Sequence, residues 1–256
     1  MIAFILGTSD GRKLLREINK FTDDILLSTA TTYGGELLKE YKYRYLNTTP
    51  LNKEELKKLL KEKKVRVLVD LSHPYAIEIS KNAMDCCDDL HIEYIRYERK
   101  AVIDKYKENK NVKFIKKIED LSFYLKDNEG NILNTMGSNK IKDILDLNLP
   151  NRIIHRVLPT KSVIEKCVDL GIDIGDIIGI KGPIGYDLNL AFLKAYDIKV
   201  MLLKDSGEKG ATEEKLKSAL DLNVQCYVLE RETINYKNKF SNEEDIINYL
   251  ECKYFK

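Results

Sequence analysis

Short apolar runs alternate with amphipathic segments along most of this 256-residue chain. A short apolar run suits a strand that is buried on both faces of its sheet. The segments between the runs have helical periodicity. This alternation is typical of parallel strands joined by helical crossovers. The predicted strands are Ile2–Leu6, Ile25–Thr29, Val65–Asp70 and Ile92–Arg96 in the first half, and Val112–Ile115, Ile132–Thr135, Ile153–Val157, Ile177–Ile180, Val200–Lys204 and Val224–Glu230 in the second.

The predicted helices lie between these strands, and the first contains a clear apolar stripe at Leu14, Leu15, Ile18 and Phe21. The fold class is therefore α/β, with two Rossmann-like parallel-sheet domains expected to face each other across a cleft. A polar linker at Asp104–Asn111 would separate residues 1–103 from residues 104–256. Terminal strands that cross between the two domains are also compatible with the sequence. The helices are predicted near Gly11–Lys20, Asn52–Lys63, Tyr75–Asp88, Ile118–Lys126, Lys140–Leu147, Lys161–Leu170, Tyr186–Ala195 and Glu213–Leu222.

Composition excludes several classes of protein. The net charge of +2 is too small to indicate a nucleic-acid-binding protein, which typically has a concentrated basic face, so no nucleic-acid partner is expected. The lysine-rich stretch Lys57–Lys64 is interpreted as a solvated helix face. No apolar run approaches the ~20 residues that cross a bilayer, and Met1–Leu6 is interpreted as a first strand. We therefore expect a cytoplasmic protein without a membrane partner.

The cysteines and histidines indicate neither a disulfide framework nor a metal site. The cysteine count is odd and no C-x-x-C pair occurs, while the three histidines are far apart in sequence. We expect no bound metal. The five cysteines are Cys86, Cys87, Cys167, Cys226 and Cys252.

The first strand is followed by a turn that could hold a phosphate. Ligands of open parallel sheets bind beyond the carboxyl ends of the strands. Here Gly7 is expected to let the backbone turn closely past a ligand, Thr8 and Ser9 supply hydroxyls, and a helix N-terminus follows. The G-x-G-x-x-G fingerprint is incomplete. An ordinary helix start capped by Ser9 or Asp10 is the alternative.

The second strand ends in hydroxyl-bearing residues. Ser28, Thr29 and Thr31 stand where NAD-selective enzymes usually carry a carboxylate, and none occurs before Glu36. A 2′-phosphate would therefore not be repelled, which favours NADPH over NADH, although no arginine lies in this segment.

Two further strand ends in the first half carry ionisable groups. His73 lies in the turn Ser72-His73-Pro74-Tyr75, where catalytic and structural roles are both open. Arg96 and Arg99 are spaced to clamp carboxylates, or to form surface ion pairs with Glu93 and Glu98.

The strand ends of the second half are rich in glycine, hydroxyls and lysine. Thr135, Gly137 and Ser138 form a second anion-friendly turn, and Lys181-Gly182-Pro183 suits a wall against a flat ligand. Lys204-Asp205-Ser206-Gly207 places a lysine at the end of a buried strand, where its ammonium needs a carboxylate or water. Structural pairing of Lys204 with Asp205 or Glu208 is the alternative.

Taken in order, these strand ends resemble the precorrin-6A reductase family, including its cobalt-precorrin-6A branch. The chain departs from the usual family pattern at Ser72, Tyr75, Ile184 and Ala211, and Tyr33-Gly34-Gly35 lacks the family's arginine. The matching segments are Gly7-Thr8-Ser9-Asp10-Gly11-Arg12, Asp70-x-Ser72-His73-Pro74-Tyr75-Ala76, Ser80-x-Asn82-Ala83, Arg96-Tyr97-x-Arg99, Thr135-x-Gly137-Ser138, Leu158-Pro159, Gly182-Pro183 and Lys204-x-Ser206-Gly207.

The resemblance implies NADPH-dependent reduction of one carbon–carbon double bond of precorrin-6A or cobalt-precorrin-6A, giving the corresponding precorrin-6B in cobalamin biosynthesis. Neighbouring pathway enzymes are possible partners. Lys204 is the first choice for placing charge or donating a proton, followed by His73 and Tyr75, and a substrate carboxylic acid or water could do the same. Expected cofactor contacts are Gly7, Thr8, Ser9, Asp10, Ser28, Thr29, Thr31, Ser72, Thr135, Gly137 and Ser138. Expected substrate contacts are Arg12, Arg96, Arg99, Arg156, Lys181, Gly182, Pro183, Lys204, Asp205, Ser206 and Gly207.

Two other functions are compatible with the sequence. One is a cofactor-free tetrapyrrole synthase built from two facing α/β domains, which would not use the turn after the first strand. The other is a non-catalytic NADP-sensing protein, which would bind the cofactor without turnover. The sequence does not fix the central metal of the macrocycle or the oligomeric state.

Overall fold

A computed structural model of the chain describes residues 1–7, 10–126, 128–207 and 210–255. The chain forms two compact units, and the first unit is discontinuous in sequence. Met1–Arg99 and Thr233–Lys256 make the first unit, and Lys100–Glu232 make the second. Each unit contains its own six-stranded parallel sheet and its own buried core.

The sheet of the first unit has the strand order β12-β5-β4-β1-β2-β3, and each of its strand pairs is parallel. The chain first winds from β1 towards β3 and then returns to β4 on the other side of β1, so the switch point lies at the carboxyl end of β1. The strands are β1 (Ile2–Leu6), β2 (Ile25–Ser28), β3 (Tyr45–Asn47), β4 (Val67–Leu71), β5 (Glu93–Tyr97) and β12 (Lys239–Phe240).

Helices cover this sheet because their apolar stripes are buried against it. Leu14, Leu15 and Ile18 of the first helix are buried, as the sequence predicts. Phe21 is the exception: the helix ends at Ile18, and Phe21 is exposed and stacks on Phe255. The helices of this unit are α1 (Arg12–Ile18), α2 (Thr32–Glu36), α3 (Lys53–Glu62), α4 (Ile77–Leu90) and α10 (Glu243–Leu250), which continues as a π-helix over Glu251–Phe255.

The sheet of the second unit has the order β6-β11-β10-β7-β8-β9 and is also parallel. Its switch point lies between the neighbouring strands β7 and β10. The strands are β6 (Val112–Ile115), β7 (Asn131–Asn134), β8 (Ile153–Val157), β9 (Ile177–Gly179), β10 (Ile198–Lys204) and β11 (Gln225–Leu229). The helices are α5 (Asp120–Leu125), α6 (Ile141–Leu145), α7 (Lys161–Asp169), α8 (Tyr186–Ala195) and α9 (Thr212–Asp221).

The α/β fold with two parallel sheets is confirmed, but the predicted domain boundary is wrong in two respects. Residues 233–255 return to the first unit, where β12 pairs with β5 and α10 packs on α1. The segment Asp104–Asn111 belongs to the second unit and is not a linker, because Ile103 just before it is buried in that unit's core.

The C-terminal return buries apolar side chains that the first unit needs. Ile246 and Leu250 of α10 are fully buried in one cluster with Leu14 and Leu15 of α1. Replacing Leu250 with alanine is expected to lower the free energy of unfolding by about 2–5 kcal/mol, because the cavity lies in the core of the first unit. Urea unfolding measures this change, with the exposed Leu188→Ala in α8 as the control. Equal stabilities of the two variants would contradict the packing.

Within the described ranges, no helix combines the length and the apolar character needed to cross a membrane.

Candidate functional site

The turns after β1 and β4 are neighbours in the first unit. A Cβ placed on Gly7 would lie 3.7 Å from the backbone nitrogen of His73, which is an ordinary contact. The glycine that the turn requires is Gly11, whose φ is +83° and whose Cβ would come within 2.7 Å of a methyl of Leu6. The positive φ in this turn is therefore that of Gly11, and the close approach of a ligand at Gly7 stays a prediction. Thr8 and Ser9 lie outside the described residues.

Asp10 is held by an arginine from a distant part of the chain. Nε of Arg99 donates to Oδ2 of Asp10 at 2.7 Å, and Nη2 lies 2.5 Å from the same oxygen. Both side chains are buried. The pair fixes the turn after β1 to the end of β5. This departs from the expected roles of Asp10 as a cofactor ligand and of Arg99 as an open clamp for carboxylates.

Arg96 lies in a buried network centred on Asp70. Its Nη1 is 2.9 Å from Oδ1 of Asp70 and donates to the hydroxyl of Ser72 at 2.9 Å. Asp70 also accepts from the hydroxyls of Ser80 at 2.6 Å and Tyr94 at 2.7 Å. Arg96 is 1% exposed. The expectation that Arg96 anchors a substrate carboxylate is therefore wrong in this structure, as is the alternative of a surface ion pair with Glu93 or Glu98.

The same network positions the turn that carries His73. The backbone N–H of Ser72 donates to Oδ1 of Asp70 at 2.8 Å, and this hydrogen bond fixes the position of the first residue of the turn. Nδ1 of His73 accepts from the backbone N–H of Tyr75 at 3.3 Å. In neutral His73 the proton is therefore on Nε2. The ring centroids of His73 and Tyr75 lie 5.8 Å apart, and both side chains are half-buried.

The hydroxyls after β2 make local hydrogen bonds. Ser28 accepts from the side-chain amide of Asn47 at 3.1 Å, and Thr29 donates to the carbonyl of Thr31 at 3.0 Å. Thr31 caps α2 by accepting from the N–H of Gly34 at 3.0 Å. Of the three, Thr31 is exposed, Ser28 is half-buried and Thr29 is buried. A ligand at this strand end would therefore meet Thr31 before Thr29.

The first turn of α1 receives a carboxylate from the C-terminal segment. Oε2 of buried Glu243 accepts from the backbone N–H of Leu14 at 3.2 Å. Lys13 and Glu244 form a second, exposed contact between the same helices. Arg12 begins α1 and is exposed. A phosphate at this turn would depend on groups that precede Leu14.

In the second unit, the turn after β7 lies at the switch point. Thr135 follows β7 and donates from both its N–H and its hydroxyl to the carbonyl of Leu202 in β10, at 2.8 and 2.9 Å. Gly137 has a φ of +87°, and a Cβ there would meet no atom within 4 Å. Ser138 begins a 3₁₀ turn and is half-buried. The backbone at Gly137 is thus open to the close approach of a ligand.

The buried groups behind this turn are neutral. Asn134 and His155 share a hydrogen bond of 3.1 Å between Nδ2 and Nδ1. Burial lowers the pKa of His155 to about 4, so its imidazole carries no charge near pH 7. Neither residue of this pair is among those predicted from sequence.

The loop after β10 is fixed by an ion pair between an aspartate and an arginine. Oδ2 of Asp205 lies 3.0 Å from Nε of Arg231, and that Nε also donates to the carbonyl of Asp205 at 2.9 Å. Asp205 is 1% exposed, so it shapes the loop, and its expected direct contact with substrate is not supported. The N–H of Ser206 donates to Thr212 at 3.1 Å, and Gly207 adopts a φ of +70°.

Three cations lie at the carboxyl edge of the second sheet. Burial, with the charge of Lys140 nearby, lowers the pKa of Lys204 to about 8. Burial lowers the pKa of Arg156 to about 10 and, with the charges of Arg156 and Lys204, that of Lys215 to about 7. The carboxylate of Asp205 pairs with Arg231, and Glu208 lies outside the described residues. Structural pairing of Lys204 therefore stays an open alternative to a role at the site.

The segment after β9 is exposed. Lys181, Gly182 and Pro183 are all exposed, and the Gly182–Pro183 peptide bond is cis. A Cβ on Gly182 would meet no atom within 4 Å. This segment could therefore lie against a large ligand.

Sequence reasoning missed Lys215 and Glu243. The burial of Lys215 could have been predicted from helical periodicity. Lys215 shares one face of α9 with Ser218 and Ala219, and Leu216 lies next to that face, so the lysine is on the buried side of the helix. Glu243 had no such signal. Its partner, Leu14, is 229 positions away in sequence.

Replacing Lys215 with methionine is expected to raise the free energy of unfolding by on the order of 3 kcal/mol at about pH 6, and by little near pH 10. The pKa of Lys215 falls from 10.5 to about 7 on folding. Between these values the unfolded chain binds more protons, so the stability of the wild type rises with pH. Methionine removes that dependence.

Urea unfolding at several pH values measures the difference in stability. Lys217→Met is the matched control, because Lys217 is exposed on the same helix and pairs with Glu213. A stability difference between wild type and Lys215→Met that stays constant with pH would contradict the prediction.

Comparison with known proteins gives one consistent family. The family model described as "Precorrin-6x reductase CbiJ/CobK" matches residues 1–251. A cobalt-precorrin-6A reductase of Methanocaldococcus jannaschii is 33% identical over 245 residues, covering 95% of each chain. A protein of the same name from Priestia megaterium is 30% identical over 253 residues, covering 98% of each. The solved structure "CobK precorrin-6A reductase" has the same fold, with a TM-score of 0.79, 14% identity, and coverage of 100% of this chain and 98% of that one.

Proposed function

The chain belongs to the precorrin-6x reductase CbiJ/CobK family of cobalamin biosynthesis, and we propose that it uses NADPH to reduce one carbon–carbon double bond of cobalt-precorrin-6A or precorrin-6A. The product would be the corresponding precorrin-6B. The family match over residues 1–251 is the observation that carries this proposal. The buried cations at the strand ends of the second unit agree with a substrate that carries many carboxylates.

The first unit fits a dinucleotide at the switch point of its sheet. The strand order places β1 between β2 and β4, and Gly11 allows the start of α1 to lie close to the side chains of Leu6 and Leu71. The pyrophosphate would lie at the turn from Gly7 to Gly11, with Arg12 beside it. The N–H of Leu14 already bonds to Glu243, so the groups before Leu14 would serve the phosphates.

The preference for NADPH over NADH is supported by the end of β2. Thr31 is exposed there, and no carboxylate stands among residues 28–35 to repel a 2′-phosphate. When bound, NADPH would supply a hydride to one carbon of the double bond, while the neighbouring carbon receives a proton.

The chain's own residues would bind the macrocycle and deliver that proton. Lys204 has a pKa of about 8, so near pH 7 its ammonium is mostly protonated and can act as a general acid. Arg156 would bind a carboxylate, and exposed Lys181, Gly182 and Pro183 would contact the rim or face of the ring. His73, with its proton on Nε2 in the neutral form, is the alternative donor.

A direct assay tests the function. The protein is mixed with NADPH and either cobalt-precorrin-6A or precorrin-6A, and the loss of nicotinamide absorbance is followed, with NADH as the comparison. Turnover with NADPH, faster than with NADH, is expected. Binding of NADPH without turnover on either substrate would favour the NADP-sensing alternative. Absence of NADPH binding in a fluorescence titration would favour the cofactor-free synthase.

A further inference from the structure

We propose that Tyr236, in the segment that returns to the first unit ahead of β12, is a positioning residue for the turn that carries Ser72 and His73. The inference rests on the proposed function, since this turn lies beside the turn after β1 that would hold NADPH. It deepens that function, because it gives the C-terminal return, which contains none of the site residues predicted from sequence, a role in binding the cofactor.

The first observation concerns the buried guanidinium of Arg96, which is only partly satisfied by hydrogen bonds. Its Nη1 contacts Asp70 and donates to the hydroxyl of Ser72. Its Nε is buried and has no hydrogen-bond partner among the residues that the structure describes. A buried donor on a charged group is costly when it lacks an acceptor, so the side chain that covers Arg96 matters for the stability of the ion pair.

The ring of Tyr236 covers this guanidinium. Cζ of Arg96 lies 5.4 Å from the ring centroid, within the range of a cation–π contact. The ring also stacks on that of Tyr94, with centroids 6.3 Å apart and planes inclined by 19°. Because Tyr94 donates to Asp70, Tyr236 packs on one member of the ion pair and on a hydrogen-bond donor to the other. Its side chain also has a hydrogen bond with Ser80.

The backbone next to Tyr236 is fixed on β5. The N–H of Arg96 donates to the carbonyl of Asn238 at 2.8 Å, and the side-chain amide of Asn238 donates to the carbonyl of Tyr94 at 3.3 Å. These hydrogen bonds hold the chain two residues after Tyr236. The position of the ring therefore depends on the return of the chain to the first unit.

The network reaches the proposed cofactor turn through Ser72. The hydroxyl of Ser72 accepts from Arg96, and its N–H donates to Oδ1 of Asp70. The backbone nitrogen of the next residue, His73, lies 3.7 Å from the position of a Cβ on Gly7. A shift of Ser72 would therefore move the backbone beside Gly7, where the dinucleotide would pass.

Replacing Tyr236 with leucine is expected to raise KM for NADPH about tenfold and to leave kcat within about twofold of the wild type, the pattern of a loss in cofactor binding alone. Leucine stays apolar but removes the ring that covers Arg96. Tyr236→Phe keeps the ring and lacks the hydroxyl, so it should restore the wild-type KM. Steady-state kinetics with cobalt-precorrin-6A at saturation measure both constants.

Tyr249→Leu is the matched control. Tyr249 is another half-buried tyrosine of the returning segment, but it packs on Phe240 and donates to Glu93, the first residue of β5. Arg96 lies near the other end of the same strand. The control removes a ring of the same size from the same unit, and we expect it to leave KM for NADPH unchanged.

Hydrogen exchange gives a readout that does not depend on the cofactor. Amide exchange in a peptide covering residues 71–76, measured by mass spectrometry without ligand, is expected to be faster in Tyr236→Leu than in the wild type. The N–H of Ser72, which bonds to Asp70, is the group that should lose protection. Tyr249→Leu and Tyr236→Phe should exchange like the wild type in this peptide.

Several outcomes would overturn the inference. These are an unchanged KM or unchanged exchange in Tyr236→Leu, an equal rise in KM in Tyr249→Leu, and a Tyr236→Phe variant as defective as Tyr236→Leu. If the wild type failed to oxidise NADPH, the proposed function would be wrong instead. The exchange of residues 71–76 would then still decide whether Tyr236 positions the turn.

Discussion

Replacing Lys204 with methionine is expected to lower kcat by about 10²–10⁴-fold while the affinity for NADPH stays within a few-fold of the wild type. Lys204 ends β10 at the switch point, and its lowered pKa of about 8 suits proton donation near neutral pH. Methionine keeps much of the apolar stem and removes the ammonium. Steady-state turnover and a fluorescence titration with NADPH measure the two quantities.

The pH profile gives a second measurement of the same role. A general acid must be protonated in the free enzyme, so kcat/KM of the wild type is expected to fall as pH rises through about 8. That limb should be absent from Lys204→Met. Lys199→Met is the control, because Lys199 lies on the same strand but is exposed and pairs with Asp197. Unchanged turnover in Lys204→Met would leave a substrate carboxylic acid or water as the proton donor.

Replacing Arg96 with methionine is expected to lower the free energy of unfolding by about 3–5 kcal/mol, because Asp70 would keep a buried charge without its cation. Asp70 is fully buried and would retain only neutral donors, from Ser72, Ser80 and Tyr94. The turn that carries His73 should loosen as well, since Ser72 bonds to both members of the pair. Urea unfolding measures the loss of stability.

Two comparisons make the Arg96 prediction specific. The double variant Asp70→Asn/Arg96→Met should recover part of the stability, because it removes the stranded charge. Arg44→Met is the surface control, since Arg44 is exposed in its contacts with Asp23 and Asp24. If Arg96→Met were as stable as wild type and only bound substrate more weakly, the carboxylate-anchor role expected from sequence would be restored.

The sheets were predictable from sequence because a buried parallel strand is a continuous apolar run, which is a local signal. Ten of the strands correspond to apolar runs, with ends that differ by a few residues. The two missed strands, Tyr45–Asn47 and Lys239–Phe240, are three and two residues long, too short to form an apolar run. The return of the chain to the first unit depends on contacts of α10, which are distant in sequence.

The strand-end residues were also predictable, but their partners were not. From the positions of Arg96 and Arg99 in the sequence, only ion pairs with near neighbours such as Glu93 and Glu98 can be predicted. The observed partners, Asp70 and Asp10, lie on or after other strands of the sheet, and Asp10 is 89 positions from Arg99. Whether a basic residue faces a ligand or stabilises a turn therefore depends on tertiary contacts that spacing alone does not encode.

The split composition of the first unit has a consequence for synthesis on the ribosome. Residues 100–232 emerge before residues 233–255, so the second unit can close its core while the first still lacks β12 and α10. Until then the outer edge of β5 has no strand beside it, and Leu14 and Leu15 lack the apolar cover of Ile246 and Leu250. A nascent chain stalled near residue 232 therefore exposes an open sheet edge beside apolar surface, a combination that chaperones bind and that promotes aggregation.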